Sequence, residues 1–153
     1  MALTNITAVK ELAQLYNASD RLYAQFARSC GLSSCAYWMA YELVCAGGEA
    51  PLTEITAAWA YSKQTINSAL KSLESQGLVT LAFCAGSKKN KRASLTDAGR
   101  KFAQEQIEPA MAAEQRAFDA IAPEEGEELL TLLRSYTASL NDEFARMTAG
   151  DES

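Results

Sequence analysis

Apolar residues recur at helical spacing along most of the chain. Leu12, Leu15/Tyr16, Leu22/Tyr23 and Phe26 fall on one stripe and predict a helix from about Thr7 to Ser29, closed by Gly31. Ser33 or Ser34 caps a second helix carrying Tyr37, Trp38, Tyr41 and Val44, which Gly47-Gly48 stops. Pro51 opens a short helix over Thr53 to Trp59, with Leu52, Ile55 and Trp59 on one face. Only Ala60 and Tyr61 separate it from Ser62, the predicted N-cap of a helix over Lys63 to Gln76. There Ile66, Ala69, Leu70 and Leu73 form one apolar face, and Gly77 is the stop.

The period then changes. Leu78, Val79, Leu81 and Phe83 read as a strand, and Ala93, Ser94 and Leu95 as a second. The polar, basic run from Ala85 to Arg92 lies between them, so the pair is a hairpin with a charged tip. Thr96 caps a long helix from Asp97 to about Ile121, bent near Pro109. Pro123 begins a last helix whose stripe is Leu129, Leu133, Tyr136, Leu140, Phe144 and Met147, and Gly150 to Ser153 is expected to fray. The fold class is mainly α with a small β-hairpin wing: a winged helix-turn-helix over residues 33–99, inside a single domain spanning 1–153.

Composition agrees. The chain has 153 residues and 48% hydrophobic content, enough for a packed core, with only three prolines. No apolar run approaches the ~20 residues needed to cross a bilayer. Met1 to Lys10 lacks the basic head and apolar core of a signal peptide, so a cytoplasmic location is expected and no membrane partner. There is no histidine, which excludes Ser-His-Asp and Cys-His catalysis and His-ligated metals. The four cysteines form no C-x-x-C pair, so no metal site or cofactor is assigned. Cys45 and Cys84 read as inert small hydrophobes. Glu124, Glu125, Glu127 and Glu128 suit the start of a helix and need no carboxylate chemistry, so no catalytic residue is assigned and the chain is read as a non-enzyme.

The net charge of −5 at first opposes nucleic-acid binding, but its distribution favours it. Between Ala50 and Lys101 there are eight basic residues against three acidic ones, while the rest of the chain holds six against sixteen. Positive potential is thereby concentrated on the helix-turn-helix and hairpin. With the apolar face of Lys63 to Gln76 turned inward, Lys63, Gln64, Asn67, Ser68 and Lys71 face outward. They carry donors and acceptors suited to a major groove. Gln64 and Asn67 are the candidate base readers. Ser62, Thr65 and Ser68 offer hydroxyls near the helix N-terminus, Ser62 equally well as a simple cap. Lys63 and Lys71 are candidates to position the helix on the backbone, and Lys88, Lys89, Lys91 and Arg92 at the hairpin tip to reach phosphates or the minor groove.

Three stretches carry a resemblance: Leu52-Thr53-Glu54-Ile55 through Ser62-Lys63-Gln64-Thr65-Ile66-Asn67, Leu70 through Val79, and Lys91-Arg92-Ala93-Ser94-Leu95-Thr96-Asp97-Ala98-Gly99. With the flanking helices in number and order, the chain resembles the MarR-type (multiple antibiotic resistance) regulators. The resemblance implies a transcriptional regulator, most simply a ligand-responsive repressor. It also implies a homodimer built from the terminal helices, residues 7–30 and 100–148, on a pseudo-palindromic double-stranded DNA operator. The apolar stripes at both ends agree, having little to cover within a small winged-helix core. Asn90 and Lys91 stand where the family commonly has Asp and Arg, and that Asp usually braces a wing arginine, so a looser wing is expected.

The family often answers to small aromatic anions or to oxidants. Tyr16, Tyr23, Tyr37, Trp38 and Tyr41 are the candidate lining of a pocket for a small aromatic or apolar effector, with core packing as the competing explanation. Cys30 and Cys35 are the candidates for a thiol switch, Arg28 lying near in sequence. Two alternatives stand beside a ligand-responsive regulator: a thiol-based redox sensor, and a winged-helix protein-interaction module without DNA binding.

Overall fold

The computed structural model describes residues 5–149. The last predicted feature, fraying of Gly150 to Ser153, lies outside them. The chain divides into two compact units, one ending at Pro109 and the other beginning at Ala110.

In the first unit, α1 (Ile6–Ser29) and α2 (Ser34–Cys45) are followed by β1 (Glu49–Pro51), α3 (Leu52–Ala57) and α4 (Lys63–Ser75). Strands β2 (Val79–Phe83) and β3 (Lys91–Leu95) lead into α5 (Asp97–Phe102). The sheet is antiparallel in the order β1-β3-β2. Val79 faces Leu95 and Phe83 faces Lys91 across the hairpin, and Glu49 faces Ser94 on the other side of β3. Strand β1 corrects the sequence reading, which took Gly47-Gly48 and Pro51 as a break only. Three residues are too few to show a period. What makes them a strand is pairing with β3, prolonged by the Leu95 N–H donating to the Gly48 carbonyl at 2.8 Å.

The core centres on α2, whose Cys35, Ala36, Tyr37, Met39, Ala40 and Leu43 are all buried. This helix is apolar nearly all round because α1, α3, α4 and the sheet surround it. Ile55, Leu70, Leu73, Val79, Ala93 and Leu95 are buried as well. The α1 stripe is the opposite case. Leu15, Tyr16 and Leu22 are exposed, and within α1 only Ala27 is fully buried.

Thr96 explains the Leu-Thr-x-x-Gly ending of the hairpin. Its hydroxyl accepts from the Gly99 N–H at 2.9 Å, capping α5, and its own N–H donates to the Leu78 carbonyl at 3.1 Å. The start of α5 is thereby held so close to the hairpin that a Cβ at Gly99 would fall on the carbonyl oxygen of Leu78. The predicted long helix is not uniform. A π turn over Ala103–Ile107 separates α5 from α6 (Glu108–Asp119). Pro109 has no N–H for the Glu105 carbonyl, and its ring would crowd that carbonyl in a regular helix. The wider turn relieves both.

In the second unit, the part of α6 from Ala110 onward is followed by α7 (Pro123–Ala149), a helix of 27 residues in which only Gly126 is buried. The Phe118 ring packs over Gly126, 3.1 Å from where a Cβ would stand.

Candidate nucleic-acid interface

Helix α4 begins where the sequence placed it. The Ser62 hydroxyl accepts from the Thr65 N–H at 3.1 Å and lies 2.8 Å from the Thr65 hydroxyl. These two side chains are therefore engaged with each other in the cap. Ala69, Leu70 and Leu73 are buried and Ile66 is half-buried, which turns the opposite face outward. Lys63, Gln64, Asn67, Ser68 and Lys71 are all exposed on it. Gln64, Asn67 and Ser68 make no side-chain hydrogen bond among the described residues, so their donors and acceptors are open to a ligand.

The wing tip is tied down. The Cys84 N–H donates to the Asn90 carbonyl at 2.8 Å, and the Ser87 hydroxyl accepts from the N–H groups of Lys89 and Asn90 at 3.2 and 2.9 Å. Gly86, at φ +74°, supplies the turn's left-handed residue. Lys88, Lys89 and Lys91 are exposed, and the Lys91 ammonium sits 5.4 Å from the centre of the Phe83 ring. Arg92 donates to the Glu49 carboxylate at 2.8 Å. Where the family commonly has Asp, this wing has Asn90, and other contacts meet its turn and its arginine. Ser87 orders the turn, and Glu49, from a strand the sequence did not reveal, holds the arginine.

Beside this surface lies an open cleft of about 660 Å³ between α1, the start of α2 and the turn before α4. Tyr23 and Trp38 line it together with Gln14, Asn17, Asp20, Arg21, Ala24, Ser34 and Tyr61. Of the five aromatics expected in a pocket, Tyr37 is fully buried, while the exposed Tyr16 and half-buried Tyr41 do not line this cleft. Sequence reading missed Tyr61 and the polar side of α1. A signal existed, since Gln14, Asn17, Arg21 and Ala24 recur at helical spacing. Burial, and to a smaller extent Cys35 and Asp20, push the Tyr61 hydroxyl above the ordinary tyrosine value, favouring its neutral, donating form.

The cleft is joined to the start of α4 through aromatic packing. Tyr37 meets Phe26 edge-on at 5.7 Å and Trp38 edge-on at 5.1 Å. Trp59, three residues before the Ser62 cap, stacks on Trp38 and donates its indole N–H to Glu42 at 3.0 Å. Tyr61, in the cleft wall, directly precedes Ser62.

The cysteines differ in kind. Cys35 is buried, and burial pushes its thiol above the ordinary value, which leaves little thiolate. Cys30 is half-buried and donates to the Gln106 side-chain carbonyl in the π turn at 3.5 Å. Cys84 is half-buried, whereas Cys45, read as an inert hydrophobe, is exposed at the end of α2.

Helix-turn-helix, basic wing and flanking helices follow one another in the order of the MarR-type winged-helix fold. Its structure is similar to AbsC, a MarR family transcriptional regulator from Streptomyces coelicolor, with a TM-score of 0.76 at 20% identity, covering 93% of this chain and 97% of that one. A second MarR family regulator from Streptomyces coelicolor, solved in complex with DNA, matches with a TM-score of 0.75 at 19% identity, covering 92% of this chain and 90% of that one. BpsR from Bordetella bronchiseptica, whose DNA binding is regulated by 6-hydroxynicotinic acid, matches with a TM-score of 0.68 at 18% identity, covering 90% of this chain and 97% of that one. No protein-family model and no curated protein matches the sequence. The chain has the MarR fold, a mainly helical winged helix with a small antiparallel sheet. Among the described residues no helix is long and apolar enough to cross a membrane.

Proposed function

We propose that the chain is a sequence-specific regulator of transcription, a repressor that binds double-stranded DNA as a homodimer and releases it when a small aromatic or apolar effector binds. The observation that carries this reading is the outward face of α4. Gln64, Asn67 and Ser68 stand there unengaged between Lys63 and Lys71, on the same unit as a wing presenting Lys88, Lys89 and Lys91. Open amides read base edges, and lysines on both sides position them by the phosphates. Residues 33–99 form the DNA-binding part, and the reading requires no catalytic group.

The dimer is supported by apolar side chains left uncovered on the helices at both ends. In α1 these include Ile6, Val9, Leu15 and Leu22, and in α7 Leu129, Leu132, Phe144 and Met147. A second copy covering residues 7–30 and 100–148 removes this surface from water. The effector reading is supported by a cleft of ligand size that combines Tyr23, Trp38 and Tyr61 with a few polar groups. The burial of Cys35 weighs against a thiol switch there.

The test is selection of duplexes from a random-sequence pool by the full chain. Enrichment of a palindromic site with half-sites about 10 base pairs apart is expected, together with a dimer in sedimentation. No enriched sequence, or a monomer at micromolar concentration, overturns the reading. An aromatic carboxylate such as benzoate is expected to release the selected duplex and mild peroxide to leave it bound. The reverse result makes the chain a redox sensor.

A further inference from the structure

Glu49 is an acid set against a basic wing. In the register of β1 and β3 it faces Ser94, while Arg92 faces Pro51, so Glu49 and Arg92 are diagonal neighbours across the two strands. Long side chains span that diagonal. One Glu49 oxygen accepts from Arg92 Nη1 at 2.8 Å and the other lies 3.5 Å from the Ser94 hydroxyl, which donates to it. Both carboxylate oxygens are therefore held by β3. The ladder bond from Leu95 to Gly48 fixes the backbone just before Glu49.

Stability does not account for this pair. The side chains are 40% and 60% exposed, and an ion pair so open to water adds little to folding. For a surface that attracts phosphates, a carboxylate at this place is unfavourable in itself. What it changes is the freedom of Arg92. A free arginine loses much rotamer entropy when a ligand fixes it, and a side chain fixed beforehand binds without that loss. The bond to Glu49 uses a donor on one terminal nitrogen and leaves the rest of the guanidinium fork available.

We propose that Glu49 is a positioning residue that holds Arg92 of the wing in the orientation in which its remaining N–H donors meet DNA. The inference rests on the DNA-binding reading and adds to it a residue of β1, outside α4 and the β2–β3 hairpin. Glu49 acts on DNA through Arg92 alone.

The test uses the full chain and a duplex enriched by the unaltered protein from a random-sequence pool. Arg92→Ala and Glu49→Ala are each expected to weaken binding roughly tenfold, and the double variant to bind no worse than Arg92→Ala. Loss of Arg92 is expected to make the salt dependence shallower by about one unit of slope. Melting temperatures are expected to stay near that of the unaltered protein, which separates positioning from a structural role. The exchange Glu49→Arg with Arg92→Glu restores the ion pair but moves the cation, and is expected to leave affinity low. Tighter or unchanged binding by Glu49→Ala overturns the proposal, as do additive losses in the double variant or recovery of affinity by the exchange. If no duplex is enriched, the regulator reading falls and the inference with it. If one is enriched and Glu49→Ala binds it as the unaltered protein does, the inference alone falls.

Discussion

Trp59 stacks on Trp38 with ring centroids 4.0 Å apart and planes 22° from parallel, joining the turn before α4 to a residue in the cleft wall. These are the only two tryptophans in the chain, so tryptophan fluorescence reports this junction without background. Benzoate titrated into the full chain is expected to change that emission, saturably, and to do so in parallel with release of DNA. Trp59→Ala is expected to lower stability by about 2–3 kcal/mol, below the usual cost of truncating a fully buried tryptophan because Trp59 is half-buried. It should also uncouple DNA release from the effector. Unchanged emission at saturating benzoate would place the effector elsewhere.

Gly99 is expected to tolerate no side chain. Its missing Cβ is the space through which α5 meets the Leu78 carbonyl, and backbone cannot move aside as a side chain can. Gly99→Ala should cost about 2–3 kcal/mol, the upper part of the overpacking range, despite the better helix propensity of alanine. Chemical denaturation measures it, and a cost below half a kcal/mol would mean that α5 and the hairpin shift apart freely.

Cys35 is expected to resist alkylation in the folded chain and to react once the chain is unfolded, while Cys45 reacts at once. The pH dependence follows from the direction of the shift. The folded thiol has a raised pKa, so the unfolded chain loses its proton first. The stability from this site is complete below the ordinary thiol value and is lost as pH rises from that value through the folded one. Denaturation measured at neutral and alkaline pH should show this loss, and Cys35→Ala should remove it. Rapid labelling of folded Cys35 would contradict the burial on which this rests.

The contacts on α4 and on the wing are expected to separate by mutation. Lys88→Ala and Lys91→Ala should weaken binding to selected and to mixed-sequence duplexes alike and flatten the salt dependence. Gln64→Ala and Asn67→Ala should cost about 1–3 kcal/mol on the selected duplex and little on mixed sequence. Four variants with one common behaviour would remove the division between reading and positioning residues.

Local sequence determined the parts that depend on neighbours along the chain. The Ser62 cap, the apolar set from Ile66 to Leu73, the Gly77 stop and the Thr96 cap each act within a few residues. Helix α4 and the hairpin after it were therefore legible, except that Lys91 and Arg92, expected at the hairpin tip, belong to β3. The outward face of α4 followed as the complement of its inward one. Tertiary structure alone decided what depends on partners far along the chain. Helix α2 is apolar nearly all round, so no stripe distinguished Tyr37, which is sealed inside, from Trp38, which borders the cleft. Strand β1 exists only because β3, some forty residues later, completes its hydrogen bonds, and the ion pair of Glu49 with Arg92 exists only because that pairing has a register. Caps and stops are energies of a single turn. A pairing of distant strands is an energy of the folded chain, and no window along the sequence contains it.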